Sequence, residues 1–256
     1  MIRNASPYSP FDFTILYEDN HVLAVVKPPG LPAQSDGRAV DLLHLLKTRR
    51  KIVEHKKGEA FLGLVHRLDQ PTGGVMVFAK TSKAAARLSE AFRKREAVKI
   101  YLTVTDGVPR PGRGTLRDCL KKNPADGQVA VVPCGTPGAR EAVLEYAVID
   151  ARPSIHPVPA LLAVRPVTGR THQIRVQLAH HGTPIVGDRR YHQSGGRGAP
   201  DLALWAYHLT IPHPITRIPL KLCARPLPVP PWDRFDTAIA ALEVEALNRF
   251  WNVQPL

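Results

Sequence analysis

Residues 66–74 read His66-Arg67-Leu68-Asp69-Gln70-Pro71-Thr72-Gly73-Gly74. The segment joins two apolar runs, residues 61–65 and 75–79, which predict buried strands. The proline and glycines between them are typical of a turn. Asp69 is therefore predicted to lie on a loop held by two strands, where neighbours can set the position and ionisation of its carboxylate, as catalysis requires. The alternative is a turn aspartate that serves only the backbone, and one short motif does not separate the two.

The charge of the chain predicts a polyanionic partner. Its 256 residues carry a formal net charge of +13, and Lys and Arg side chains bind phosphates with release of counterions. Nucleic acid is the expected partner. A membrane is not expected, because the sequence has no apolar run near the length of a bilayer span and no basic amphipathic helix with a wide apolar face.

The three cysteines, Cys119, Cys134 and Cys223, are few and form no C-x-x-C pair. This usage predicts reduced thiols and a cytoplasmic location. The amino end shows no apolar segment typical of a secretory signal, so export is not expected.

The pattern of apolar residues predicts several unequal strands and few helices, which favours an α+β fold over a doubly wound sheet. Residues 107–140 predict a hairpin with long loops. The predicted strands are Val22–Lys27, 61–65, 75–79, 98–105, 141–149 and 160–165. The predicted helices are 41–50, one capped by Thr81 or Ser82 and running to about Arg95, 172–181 capped by Thr171, and 236–250.

The basic run Arg49-Arg50-Lys51 is interpreted either as a solvated helix end or as a phosphate contact. The histidines suggest a metal site, but their spacing matches no H-E-x-x-H helix. Pro133-Cys134 also lacks the second cysteine of the deaminase pattern. No metal is therefore predicted at the histidines considered, which are His172, His180, His181, His192, His208 and His213.

Residues 66–74 resemble the signature H-R-L-D-x-x-T-S-G of the RluA-type pseudouridine synthases. Further segments resemble other blocks of that family and follow in the family's order. They are 25–31 (V-V-K-P-P-G-L), 99–101 (K-I-Y), 168–176 (T-G-R-T-H-Q-I-R-V), 182–188 (G-T-P-I-V-G-D) and 204–209 (L-W-A-Y-H-L) with His213-Pro214. The resemblance covers roughly residues 20–228.

Three positions depart from the family pattern. Gly73 stands where the family usually has Ser, Gln177 where a histidine is common, and Trp205 where the L-H-A histidine would fall. The aspartate, tyrosine and arginine of the motifs are retained. The departures concern substrate preference more than chemistry.

The resemblance implies the pseudouridine synthase fold, a mixed and mainly antiparallel central sheet with flanking helices and a catalytic cleft. It also implies isomerisation of uridine to pseudouridine in structured RNA, either rRNA or tRNA, without a cofactor. We predict an arm over residues 1–14, a catalytic domain over 15–228 and a proline-rich connector with a helix over 229–256. The protein is expected to be a monomer.

The resemblance assigns catalysis to three residues. Asp69 is the nucleophile, Arg175 is its ion-pair partner, and Tyr101 stacks on the target base. Whether Asp69 attacks the base, attacks the sugar or assists formation of a glycal stays open. The residues predicted to bind substrate are His66, Arg67, Thr72, Arg170, Thr171, His172 and Gln173.

Two other classes of function fit the charge. A glycosylase or nuclease would also place an aspartate beside basic residues, but it would release a base or cut the strand. A non-catalytic RNA-binding protein would need the positive charge alone.

Overall fold

The computed structural model describes residues 8–36, 39–153, 158–192, 201–243 and 247. The strands are β1 (Ile15–Glu18), β2 (Val22–Lys27), β3 (Gly63–Leu64), β4 (Gly73–Ala79), β5 (Val98–Asp106), β6 (Arg113–Lys122), β7 (Val129–Val132), β8 (Arg140–Ala151), β9 (Pro159–Pro166), β10 (Leu204–Pro212) and β11 (Pro219–Cys223). The helices are α1 (Leu42–Val53), α2 (Ser82–Arg93), α3 (Gln173–His180) and α4 (Asp236–Ala240), and a 3₁₀ helix covers Trp232–Phe235.

The chain forms two units. The first unit comprises Met1–Ala97 and Leu209–Ala224, and the second comprises Val98–His208 and Arg225–Leu256. The predicted division into an arm, a catalytic domain and a tail is a different partition of the chain and stays a prediction.

The first unit is built on antiparallel strands. β2 pairs with β1 on one side and with β4 on the other, with Val22 opposite Ala79 and Lys27 opposite Gly74. α2 packs its apolar side on this sheet, where Leu88 and Ala91 are buried in one cluster with residues of β2 and β4. The start of β4, which follows the Asp69 loop, is therefore held both by the packing of α2 and by its hydrogen bonds to β2.

The second unit is also built on antiparallel strands, in the order β5-β9-β8-β6-β7. α3 packs against β6, β7 and β9. Val176 of α3 is buried in a cluster with Leu120, Val129 and Ala142 from three strands. This packing sets the direction of α3, which carries Arg175.

The α+β prediction is confirmed. The Val22–Lys27 strand is found with the predicted bounds, and Thr81 caps α2 by accepting the N–H of Ala84 at 3.2 Å. The 107–140 hairpin is present as β6 and β7. Asp41 caps α1 by accepting the N–H of His44.

Three predicted elements are wrong in extent. The 61–65 strand contains only Gly63–Leu64, because the carbonyl of Phe61 accepts a hydrogen bond from Arg50 instead of joining the ladder. The predicted 236–250 helix is interrupted, since α4 ends at Ala240 and residues 241–243 are not helical; Leu247 is helical, and the other residues of the predicted range lie outside the described residues. α3 begins at Gln173 with His172 as N-cap, so Thr171 is not its cap.

Arg50 of the basic run 49–51 is neither part of a solvated helix end nor a phosphate contact. Its side chain is buried, and Nε and Nη2 donate to the two carboxylate oxygens of Glu54 at 2.9 and 2.8 Å. Arg50 therefore joins α1 to the segment before β3 and is neither solvated nor available to a phosphate.

The prediction of reduced thiols is wrong for two of the three cysteines. Cys119 and Cys134 form a disulfide. Cys119 lies on β6 opposite Val132 of β7, and Cys134 follows two residues later. The hairpin register brings them together, and sequence spacing alone does not show this.

Among the described residues, no helix is both long and apolar enough to cross a membrane.

Candidate active site

Asp69 lies half-buried on the loop between β3 and β4. The loop is closed locally by the N–H of Thr72, which donates to the carbonyl of Asp69 at 2.9 Å. Two hydrogen bonds join Gln70 and Gly30. The Gly30 N–H donates to the carbonyl of Gln70, and the side-chain amide of Gln70 donates to the carbonyl of Gly30, both at 2.9 Å. The backbone beside Asp69 is thus tied to the K-P-P-G segment that follows β2.

Lys27 supplies a buried cation to this loop. It is fully buried at the end of β2, and its ammonium donates to the carbonyls of Pro28, Leu31 and Gln70 at 2.8, 2.7 and 2.9 Å. Burial lowers the pKa of Lys27 to about 7, while the negative charge of Asp69 acts in the opposite direction. The three hydrogen bonds of Lys27 thus fix the carbonyl of Gln70, the residue next to Asp69.

Lys27 was not among the residues predicted to be functional. The available signal was a lysine at the end of the apolar run V-L-A-V-V. A lysine at such a position is buried only when its charge has partners. Here three carbonyls are the partners.

His66 braces the same loop. Its Nε2 accepts the N–H of Val77 on β4 at 2.9 Å, and its ring stacks on Phe92 of α2 with centroids 4.6 Å apart. Arg67 beside it is exposed. The hydroxyl of Thr72 is buried, and no residue in the described ranges offers it a hydrogen-bond partner. His66, Arg67, Asp69 and Thr72 thus belong to one supported segment of the first unit.

Arg175 is held rigidly in the second unit. Its Nε donates to Oδ2 of Asp188 at 2.8 Å, and its Nη2 donates to Oδ1 at 2.7 Å. Both residues are buried. Burial alone would raise the pKa of Asp188, but the hydrogen bonds and charge of Arg175, together with the backbone N–H groups of Arg190 and Tyr191, hold this pKa below its ordinary value. Such a two-point contact fixes the guanidinium plane as well as its position.

Tyr191 completes the support of Arg175. Its ring lies 5.2 Å from the guanidinium carbon, and its hydroxyl accepts the N–H of Val129 at 3.1 Å. The same hydroxyl is 2.7 Å from Nδ1 of His172. Oδ1 of Asp188 also accepts the N–H groups of Arg190 and Tyr191. The turn that follows Gly187 therefore positions Arg175, Tyr191 and the start of α3.

The turn before α3 is built by Gln173. Its buried side-chain oxygen accepts from the hydroxyl of Thr168 at 2.8 Å and from the N–H of Arg170 at 3.0 Å, while its amide donates to the carbonyl of Val143. His172 adopts a left-handed conformation with φ of 51°. These bonds replace the hydroxyl cap expected from Thr171, which is exposed. Arg170 is also exposed, and its Nε donates to the carbonyl of Glu141.

Tyr101 lies on β5 opposite Val164 of β9 and is half-buried. Lys99, two residues earlier on the same side of the strand, has a pKa lowered by burial. Asp69 belongs to the first unit, whereas Tyr101 and Arg175 belong to the second. The predicted ion pair of Asp69 with Arg175 and the roles of the predicted substrate-binding residues stay predictions.

Comparisons with known proteins agree with the sequence motifs. Residues 21–180 match the family described as RNA pseudouridylate synthase. The chain is 36% identical over 213 residues to the dual-specificity RNA pseudouridine synthase RluA of Escherichia coli K12, covering 81% of this chain and 90% of that protein. It is 34% identical over 210 residues to an uncharacterized RNA pseudouridine synthase of Synechocystis, covering 79% of this chain and 62% of the relative.

Solved structures show the same fold. Human RNA pseudouridylate synthase domain containing 4 aligns with a TM-score of 0.70 and 28% identity, covering 90% of this chain and 93% of that one. The human domain containing 1 protein aligns with a TM-score of 0.71 at 23% identity and supports the fold alone. These matches define the class as the pseudouridine synthases. The chain belongs to the RNA pseudouridylate synthase family, and the relatives it matches are named RNA pseudouridine synthases.

Proposed function

We propose that the protein converts uridine to pseudouridine in structured RNA with Asp69 as the nucleophile. The observation that carries the proposal is the position of Asp69 on a loop fixed by Lys27 and by the Gly30–Gln70 hydrogen bonds, in a chain of this family. An aspartate in a solvated turn would not need the neighbouring carbonyl of Gln70 to be held by a buried lysine.

The reaction breaks the N1–C1′ bond and forms a C5–C1′ bond, while a proton leaves C5 and N1 gains one. Atoms and electrons balance within the nucleotide, so no cofactor is required. A carboxylate that adds to an electrophilic carbon and then leaves divides this change into easier steps.

Arg175 is proposed to pair with Asp69. Arg175 is already held at two points by Asp188 and over the ring of Tyr191, so its orientation is set before substrate arrives. Preorganised charge of this kind stabilises a developing transition state without reorganisation. Tyr101 is proposed to stack on the target base, which must leave the RNA stack to reach these groups.

The proposed substrate contacts use groups that the fold leaves accessible or unpartnered. Arg67, Arg170 and Thr171 are exposed, and the buried Thr72 hydroxyl has no partner in the described part of the chain. The net charge of +13 supports phosphate binding. We propose rRNA or tRNA as the substrate, a monomeric protein and a cytoplasmic location.

The test compares Asp69→Asn with Asp233→Asn, an exposed aspartate of the 3₁₀ helix. Pseudouridine is measured by carbodiimide primer extension on cellular RNA added back to the purified protein, and RNA affinity is measured in parallel. We expect Asp69→Asn to lose turnover but keep affinity, with Asp233→Asn unchanged.

Full activity of Asp69→Asn would refute the nucleophile assignment. Released uracil or a shortened strand would instead identify a glycosylase or nuclease. A parent protein that binds RNA without changing it under any condition would support the non-catalytic alternative.

A further inference from the structure

Three potential metal ligands meet on the second unit, outside the predicted catalytic residues. They are Asp118 of β6, His180 at the end of α3 and His181, which follows it. Each offers one ligand atom, and these atoms all lie within 4.8 Å of one another. Sequence spacing gave no reason to join them, because Asp118 lies about sixty residues before the two histidines.

The distance between His181 and Asp118 fits coordination of a small metal ion. Nε2 of His181 lies 3.2 Å from each carboxylate oxygen of Asp118. Zinc binds nitrogen and oxygen ligands at about 2.0–2.2 Å, which separates adjacent tetrahedral ligands by about 3.3–3.5 Å. An ion pair of His181 with Asp118 would explain this one distance. It would not include His180, whose ligand atom lies within 4.8 Å of those of both Asp118 and His181.

A buried residue orients the carboxylate. Nε2 of Gln177 donates to Oδ2 of Asp118 at 2.6 Å and lies 3.3 Å from the carbonyl of Ala142. Gln177 is fully buried, and its Oε1 has no partner among the described residues. The amide therefore faces its two acceptors although its own oxygen is left without a hydrogen bond. In protein metal sites, a carboxylate that binds the metal is commonly oriented by a hydrogen bond from a neighbouring residue.

We propose that Asp118, His180 and His181 bind a divalent transition metal of the zinc class. Two imidazoles and one carboxylate form a donor set typical of zinc, nickel and copper, whereas magnesium and calcium prefer oxygen ligands. His180 and His181 are exposed, so water completes the coordination. The metal joins the end of α3 to β6 and takes no part in the proposed isomerisation.

Zinc binding is tested by titration calorimetry on the full chain without a histidine tag. The background is Cys223→Ser, which removes the exposed cysteine that lies outside the disulfide, and a non-reducing buffer keeps Cys119 and Cys134 joined. We expect one zinc ion per chain with micromolar or tighter affinity. Affinity should fall on acidification, because protons compete for the imidazole nitrogens. Cobalt(II) should show the visible absorption of a site with mixed nitrogen and oxygen ligands.

The variants are His180→Ala, His181→Ala and Asp118→Asn, with His55→Ala as a matched exposed histidine in the first unit. The first three should each weaken zinc binding by roughly tenfold or more, and His55→Ala should not. The two histidine variants should keep their fold without metal, as circular dichroism checks. The absence of zinc binding at micromolar concentrations, or equal binding by a His180→Ala/His181→Ala double variant, would overturn the proposal.

Discussion

Arg175 and Asp188 form a buried, two-point ion pair, with Nε–Oδ2 and Nη2–Oδ1 distances of 2.8 and 2.7 Å. The pair joins α3 to the turn after Gly187, so it fixes an arginine that the family motif assigns to catalysis. The sequence motif of residues 182–188 includes Asp188, but the motif alone predicted no role for this residue. The structure shows Asp188 as a positioning residue for Arg175.

The substitution Asp188→Asn is expected to lower the free energy of unfolding by about 3–5 kcal/mol, because it leaves the buried charge of Arg175 without its partner. Urea denaturation measures this change. Glu90→Gln, which removes an exposed partner of Arg93 and Lys94, is the control and should have no measurable effect. Equal stability of Asp188→Asn and the parent would show that the pair does not hold α3.

The Lys27 ammonium predicts a pH dependence of stability. Its pKa is lowered from 10.5 to about 7 in the folded protein. Between about pH 7 and 10.5 the unfolded chain holds one more proton than the folded chain at this group, so its contribution makes stability rise with pH in that window, by at most about 5 kcal/mol. Below pH 7 both states are protonated and the contribution is constant.

The measurement is the difference in unfolding free energy between the parent and Lys27→Met at a series of pH values. We expect the parent to gain relative to Lys27→Met from about pH 7 upward. Subtracting the variant removes titrations that both proteins share. A difference that stays constant from pH 6 to about 10 would contradict the lowered pKa.

The Cys119–Cys134 disulfide closes a segment with a sequence separation of 15 residues. A cross-link over a loop of this length stabilises by about 3 kcal/mol. The oxidised parent should therefore unfold at a higher temperature than a Cys119→Ser/Cys134→Ser variant, and reductant should remove most of the difference. Cys223→Ser is the control and should behave as the parent. Identical melting of oxidised parent and double variant would count against the bond.

RNA affinity is expected to fall steeply with salt, because each neutralised phosphate releases counterions. Arg170→Ala should weaken binding and reduce the slope of log affinity against log salt by about 1. Arg93→Ala removes an exposed arginine of α2 and serves as the charge-matched control. Equal slopes for Arg170→Ala and Arg93→Ala would show that Arg170 makes no specific phosphate contact.

Local features were predictable where neighbouring residues decide them. The strand Val22–Lys27 follows from its continuous apolar run and the prolines after it, and the α2 cap follows from Thr81 ahead of a helical pattern. The start of α3 was missed because Gln173, bonded to Thr168 and Arg170, outweighs the capping preference of Thr171. The 61–65 strand was overestimated because Arg50, from the preceding helix α1, donates a hydrogen bond to the carbonyl of Phe61.

The amino-acid sequence by itself determined the α+β class, the family and the candidate nucleophile, since periodicity and ordered motifs are carried by residues close together in the chain. Tertiary structure alone decided that Lys27 is a buried cation, that Asp188 holds Arg175, that Cys119 meets Cys134 and that Asp118 meets His180 and His181. The reason is physical. Each of these contacts depends on strand register and helix packing, which join segments whose separation in sequence gives no information about their distance in space.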